Sequence, residues 1–223
     1  FSTHTPGVRH DNLFAAGNGV LLGTVGAHGD LCNLVSGAVL YPSRGHDDRV
    51  WYVALPDGRI GFSNGLICGI TDGAATTGWG VPIPQEIGSA MNIAGDLFPG
   101  DYRYAISYVR QADGREGGVL PSAPVQVADG GLFLSGLPVM AGHTINVYLT
   151  SHNDDTFYLA GNTASPVFSF TAAHDRLVLP CKTEDDEPAP AGRCLAFWRG
   201  RAVVAVGDRL VASRPHRAEA FDA

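Results

Sequence analysis

Lysine is almost missing from this chain: Lys182 stands alone among fifteen cationic side chains, the other fourteen being arginine. Charge of either sign is sparse, with 17% of residues charged and a formal net charge of −7. That acidic balance argues against a general nucleic-acid binder, whose phosphate contacts need a surplus of cations. Cysteine is scarce as well. Cys32, Cys68, Cys181 and Cys194 are scattered and none belongs to a C-x-x-C pair, so the spacing of a structural zinc site is absent. Cys32 and Cys68 lie in apolar stretches and read as small core residues of a reduced, intracellularly made protein. No apolar run approaches the roughly eighteen residues of a membrane-spanning helix, and no membrane partner is expected. Helical periodicity is missing too. The sequence opens on Phe1 rather than Met, which reads as a trimmed or processed chain.

What is present points to β-structure. Hydrophobic residues make up 45% of 223 positions, enough for a real core and too many for a disordered segment. Gly 29 and Pro 14 together are well above average usage, which implies many turns. Trp51–Leu55, Arg59–Ser63 and Leu66–Ile70 are short apolar runs separated by Pro56-Asp57-Gly58 and Asn64-Gly65, with Asp72-Gly73 following. Asn-Gly and Asp-Gly tolerate positive φ and therefore mark tight hairpins. Residues 1–82 accordingly read as an N-terminal antiparallel meander, and Trp79–Pro84, with two close prolines, as a linker.

Residues 83–173 read as a separate β-sandwich of about seven short strands. Tyr102, Tyr104, Ile106 and Tyr108 alternate onto one face, as do Ile145, Val147 and Leu149. Residues 174–223 begin with the acidic Glu184–Glu187 run and return to strands around Gly207-Asp208. The segment Gly200-Arg201-Ala202 … Gly207-Asp208 echoes Gly58-Arg59-Ile60 … Asn64-Gly65, so the first and third blocks are expected to share one sheet system, with the middle block inserted.

Catalytic patterns are weak. The eight histidines include no i, i+4 pair of the H-E-x-x-H kind, and no G-x-S-x-G elbow occurs. His46-Asp47-Asp48 and His152–Asp155 read as turn residues rather than metal ligands. A glycosidase would need two carboxylates facing a groove; Asp101, Glu116 and Glu184–Glu187 are candidates that any acidic protein offers. No cofactor, no metal and no enzymatic activity are expected. The informative charge feature is basic: Arg193, Arg199, Arg201, Arg209, Arg214 and Arg217 face only Asp208 between residues 193 and 217. Arg199, Arg201, Arg209 and Arg214 are the candidate subunit-interface residues, with Arg199 and Arg201 expected to project together.

Two resemblances add to this reading. Leu134-Ser-Gly-Leu-Pro138 followed by Thr144-Ile-Asn-Val-Tyr-Leu149 resembles the passage from fifth to sixth strand in fibronectin type III domains, although Trp51, Trp79 and Trp198 all lie outside the block. The order of pieces is similar to tail-associated structural proteins of tailed bacteriophages, including the nozzle-type components. The hairpin ending Phe62-Ser-Asn-Gly65 leads to Trp79-Gly-Val-Pro82, then the fibronectin-like block, then Arg193–Ala202 and Gly207–Pro215. The resemblance implies all-β structure: an antiparallel meander or partial propeller carrying an inserted fibronectin-like sandwich. It also implies a structural role in a virion, assembled with other virion proteins and with copies of itself in a ring. The alternatives are a carbohydrate- or receptor-binding module at a tail tip and a polysaccharide-degrading enzyme.

Overall fold

In the computed structural model, described for residues 10–26, 29–42, 49–128 and 130–222, the chain is all-β. Among these residues the helical content is one 3-10 turn, His174–Arg176. Two compact units form: unit 1 comprises residues 1–80 with 189–222, and unit 2 residues 81–188.

Unit 1 begins with two four-stranded antiparallel meanders in chain order. The first contains β1 (His10–Ala15), β2 (Leu21–Val25), β3 (Asp30–Asn33) and β4 (Val39–Tyr41); the second, β5 (Trp51–Ala54), β6 (Ile60–Ser63), β7 (Cys68–Thr71) and β8 (Thr76–Thr77). The turns follow from the sequence. Gly58, Gly65 and Gly73 take φ of 83°, 90° and 91°, conformations that a side chain would strain. Two of these turns share one bonding scheme. Asn64 Oδ1 accepts from the backbone N–H of Leu66 and Ile67, each at 2.9 Å, and Asp72 Oδ1 accepts from Ala74 and Ala75, each at 2.8 Å. The preceding hydroxyls, Ser63 Oγ and Thr71 Oγ1, donate to Ile67 O and Ala75 O.

Unit 2 contains β9 (Ser89–Ala94), β10 (Gly100–Tyr102), β11 (Tyr104–Arg110), β12 (Leu120–Pro121), β13 (Val125–Val127), β14 (Gly130–Ser135), β15 (His143–Thr150), β16 (Phe157–Thr163), β17 (Val167–Phe170) and the two-residue β18 (Asp186–Glu187). Sheet β17-β14-β9 faces sheet β12-β11-β15-β16, and β10 pairs with β13. Tyr104, Ile106, Leu134, Ile145, Val147 and Leu149 are all buried in one core between the sheets. This is the sandwich core expected from their alternation. With no tryptophan in the block, tyrosines supply the bulk. Tyr102 is buried with its hydroxyl donating to Phe98 O at 3.0 Å, which satisfies the polar end.

The sandwich extends past residue 173, where the sequence reading ended it. The reason is that β11 is covered on both faces: Ala105 and Ser107, pointing away from the core, are fully buried. A second cluster of Ala105, Val119, Tyr148 and Phe157 lies there, with Leu159 and Cys181 packed on it. Leu159 N–H donates to Leu179 O and Cys181 N–H to Phe157 O, each at 2.8 Å, binding the segment to β16. The boundary between the units, at Gly80 and Val81, falls within the expected linker Trp79–Pro84, with Trp79 packed in the core of unit 1 and Val81 in that of unit 2.

The chain then returns to unit 1 with β19 (Arg193–Trp198), β20 (Arg201–Val206), β21 (Arg209–Arg214) and β22 (Arg217–Asp222), a third antiparallel meander. The first and third blocks share a core rather than a continuous sheet. Val53, Leu55, Ile70 and Trp79 pack with Ala202, Val204 and Phe221. Trp79 fills the space left by Gly61, where an added Cβ would lie 2.5 Å from the indole, and its Nε1–H donates to Ala218 O at 2.8 Å. Ser63 Oγ, whose single proton is shared between Ile67 O and Gly192 O, lies 2.7 Å from Gly192 O and accepts from Gly192 N at 3.0 Å.

Two outcomes follow for stability. Gly61→Ala is expected to cost about 1–3 kcal/mol by overpacking, and Trp79→Ala about 3–5 kcal/mol, both read by denaturant melts. In unit 2, buried Arg110 holds Asp113 through Nε–Oδ1 at 3.0 Å and Nη2–Oδ2 at 2.8 Å, which keeps the Asp113 carboxyl below the ordinary aspartate range. A depressed folded-state pKa contributes stability above the unfolded value, lost as pH falls through the folded one. Asp113→Asn should therefore lower stability at neutral pH and flatten its decline below about pH 4, measured by melts across a pH series.

Candidate functional site

The basic cluster lies on the third meander of unit 1, whose turns place the arginines at different heights. β19 and β20 are joined by the two residues Arg199 and Gly200, at φ 47° and 79°. Positive φ at both central positions is the geometry of a type I′ hairpin. Arg199 is thus a turn residue and not a strand residue. The two-residue alternation that would aim it alongside Arg201 does not apply, which corrects that expectation. Its guanidinium instead lies over the Trp198 ring, 4.6 Å from the centroid. Trp198 is itself exposed. Such a stacked pair on the surface contributes about 0.5–1 kcal/mol.

Arg201 is half-buried and its Nη1 donates to Ser213 O at 2.9 Å on β21. Ser213 is fully buried, and its Oγ accepts from Ala202 N at 2.9 Å. Arg214, also half-buried, pairs through Nη2 with Asp222 Oδ1 at 3.1 Å on β22. Arg209 is exposed at the start of β21. The four candidate residues therefore share one sheet but divide in role. Arg201 and Arg214 cross-link its strands, while Arg199 and Arg209 stand at its margins. Nearby, Arg49 and Arg193 lie 5.5 and 6.0 Å from the Trp51 ring centroid.

The carboxylate candidates do different work. Glu116 Oε1 accepts from Ser107 Oγ, Tyr148 OH and, at 3.0 Å, Asn146 Nδ2. Three donors on one oxygen fasten Glu116 to the outside of the β11–β15 pair. Burial, with the Glu116 hydrogen bond second, pushes the Tyr148 phenol far above its ordinary range. Burial likewise pushes the Cys68 thiol up to about 11. Asp101 accepts at its backbone oxygen from Asn153 N, and Asn153 Oδ1 accepts from Asp101 N, each at 3.1 Å. His152 Nε2 lies 2.9 Å from Pro99 O, so the His152–Asp155 loop spends its polar groups on local backbone. Of the Glu184–Glu187 run, Asp186 is buried and the other three are exposed. His46-Asp47-Asp48 lies outside the described residues.

Among the described residues no group of three or more His, Cys, Asp or Glu is arranged to hold a metal ion. All four cysteines are free thiols. The crevice lined by Leu31, Tyr41, Val50, Phe62 and Ile67 is walled chiefly by apolar side chains, as is one between the sandwich sheets at Tyr104, Leu132 and Val147. Among the described residues no helix is long and apolar enough to cross a membrane. Sequence reasoning located the arginines but missed Ser213, Asp222 and the apolar residues between them, because alternation alone does not say which face of a sheet is covered. No protein-family model matches the chain, and no curated protein matches it in sequence.

The division of roles has a measurable consequence. Arg199→Ala and Arg209→Ala should each change stability by no more than about 0.5–1 kcal/mol, as solvent-facing substitutions do. Ser213→Ala, which leaves the Ala202 N–H without its buried acceptor, should cost about 1–3 kcal/mol in the same melts.

Proposed function

We propose that this chain is a non-enzymatic structural component of a bacteriophage virion, in the tail or at the head–tail junction, and that it works through subunit contacts. The observation that carries the reading is the order of its parts. A two-sheet sandwich, residues 81–188, is inserted between the second and third of three antiparallel meanders, the first two of them four-stranded sheets. Four-stranded meanders are the unit from which propellers are built, and propeller-like strands with an inserted fibronectin-like domain are what the nozzle-type resemblance implies. Tight turns suit such a role, since rigid sheets lose little conformational entropy when they dock. The arginine-bearing sheet supplies a basic surface on an acidic protein, which favours charge-complementary neighbours in the particle over nucleic acid.

A receptor- or carbohydrate-binding role at a tail tip is the second reading, and exposed Trp198 is the observation in its favour. The two are separated in purified tailed particles from the culture that produces the chain. Quantitative mass spectrometry and antibody labelling should find a fixed copy number per particle at the tail. Particles carrying Trp198→Ala should adsorb to cells normally. Recovery of the chain only outside particles would overturn the assignment, and intact Trp198→Ala particles that fail to adsorb would move it to the tail tip.

A further inference from the structure

The outer face of the four-stranded sheet in unit 2 carries a row of polar side chains beside its apolar cluster of Ala105, Val119, Tyr148 and Phe157. Ser107 on β11 stands opposite Asn146 on β15, and Asn146 stands opposite Asn162 on β16. Directly opposite residues share a face and have Cα atoms about 4.5–5.5 Å apart, so the three side chains form one line across the sheet. Ser107 is fully buried, Asn146 half-buried and Asn162 exposed. Glu116 meets this row at two members. Its Oε1 accepts from Ser107 Oγ and, at 3.0 Å, from Asn146 Nδ2, and Tyr148 OH donates to the same oxygen. On the other side of the Asn146 carboxamide, Asn162 Nδ2 donates to Asn146 Oδ1 at 2.8 Å and to Thr144 Oγ1 at 2.9 Å. One carboxylate oxygen therefore touches both a buried hydroxyl and the nitrogen of the carboxamide facing it, while a separate donor is fixed on the carboxamide oxygen.

We propose that Ser107 and Asn146 become joined by an ester bond that the folded chain forms on itself, with Glu116 as the base and Asn162 as the oxyanion donor. Glu116 takes the hydroxyl proton of Ser107 as Oγ attacks Asn146 Cγ, and the carbonyl electron pair moves onto Oδ1, where Asn162 Nδ2 already donates. The tetrahedral intermediate then collapses: the Cγ–Nδ2 bond breaks, Glu116 returns the proton to Nδ2, and ammonia leaves. One hydroxyl and one carboxamide give one ester and one ammonia, with Glu116 regenerated and nothing oxidised or reduced. Each need of acyl transfer has its group: a nucleophile beside a base, that base beside the leaving group, and a donor on the developing oxyanion. Strand register supplies the proximity. A carboxylate with a purely structural role could take donors of any kind; here two of its three donors are the nucleophile and leaving group of one reaction. Burial of Ser107 keeps water from the ester, and exposed Asn162 leaves the ammonia a path to solvent. The bond would tie β11 to β15, the two central strands of the sheet, and so restrict the unfolded chain as any covalent cross-link does.

Intact-mass spectrometry of the full chain, followed over time after cell-free synthesis, reads the reaction directly. The folded wild-type chain should become lighter than its sequence by the mass of one ammonia, and a chain held in urea from synthesis onward should not. Trypsin should then release Tyr104–Arg110 joined to residues 116–176, and alkaline hydroxylamine, which cleaves esters and spares amides, should separate the two. Ser107→Ala and Asn146→Asp should keep the full mass of their sequences. Glu116→Gln should slow the linkage by about 10²–10⁴-fold, and Asn162→Ala by about 10²–10³-fold. Circular dichroism establishes that each variant is folded; should Glu116→Gln unfold, Ser107→Ala and Asn162→Ala carry the test. A folded wild-type chain that keeps its full mass through several days of incubation overturns the proposal. So does ammonia loss without the joined peptide, which is succinimide formation at another asparagine, or a loss that persists in Ser107→Ala. Linkage at the wild-type rate in Asn162→Ala overturns the oxyanion assignment. None of these results depends on where the chain is found in a particle, so this proposal and the virion reading fail separately.

Discussion

The indole of Trp79 occupies the space above Gly61 and donates to Ala218 O, and that one placement joins two stretches of unit 1 that are separated in sequence by the whole of unit 2. The β6 strand can be buried on both faces only if the third meander returns to cover it. Phe221, packed edge-on to Trp79 at 6.2 Å between centroids, closes that core from the far end of the chain. Ser63 adds a polar clasp through Gly192. An insertion is tolerated here because the residues at its two ends, Trp79 and Ala189, are themselves hydrogen-bonded: Ala189 N–H donates to Trp79 O at 2.7 Å.

The sandwich solves a different problem. A two-sheet core without tryptophan must reach native packing density with smaller rings, and Tyr102, Tyr104 and Tyr108 do so while keeping their hydroxyls near polar partners or solvent. Its four-stranded sheet then carries a second apolar layer on the outside, where Phe157, Val119 and the Tyr148–Glu116 bond anchor the segment leading out of the unit. Glu116 is a fastening in this setting, a role that its residue type alone would not separate from acid–base chemistry.

Assembly is the functional theme that the basic sheet supports. The four candidate arginines fall into two kinds, those that brace the sheet and those at its margins, and the second kind contributes little to the fold. Between them lie Val203, Ala205 and the exposed Leu210, an apolar row on the same sheet. A basic rim around an apolar patch is the arrangement that protein–protein contacts use for orientation and for burial.

The all-β class, the hairpins at Asn64-Gly65, Asp72-Gly73 and Gly207-Asp208, and the inward face of β11 and β15 were determined by the sequence itself. Turn chemistry and two-residue alternation are local properties that need no partner. The arginine concentration was legible for the same reason. What only tertiary structure decided is which faces are covered. The burial of Trp79 at the edge of the linker was not legible because its partners, Gly61 and Ala218, are 18 and 139 residues away. The sandwich ran on through Cys181 because the outer face of β11 needed cover, a demand invisible in the Leu177–Pro190 stretch alone. Arg199 left the strand because a two-residue hairpin took it at positive φ, and alternation counted along the chain cannot register where the chain reverses.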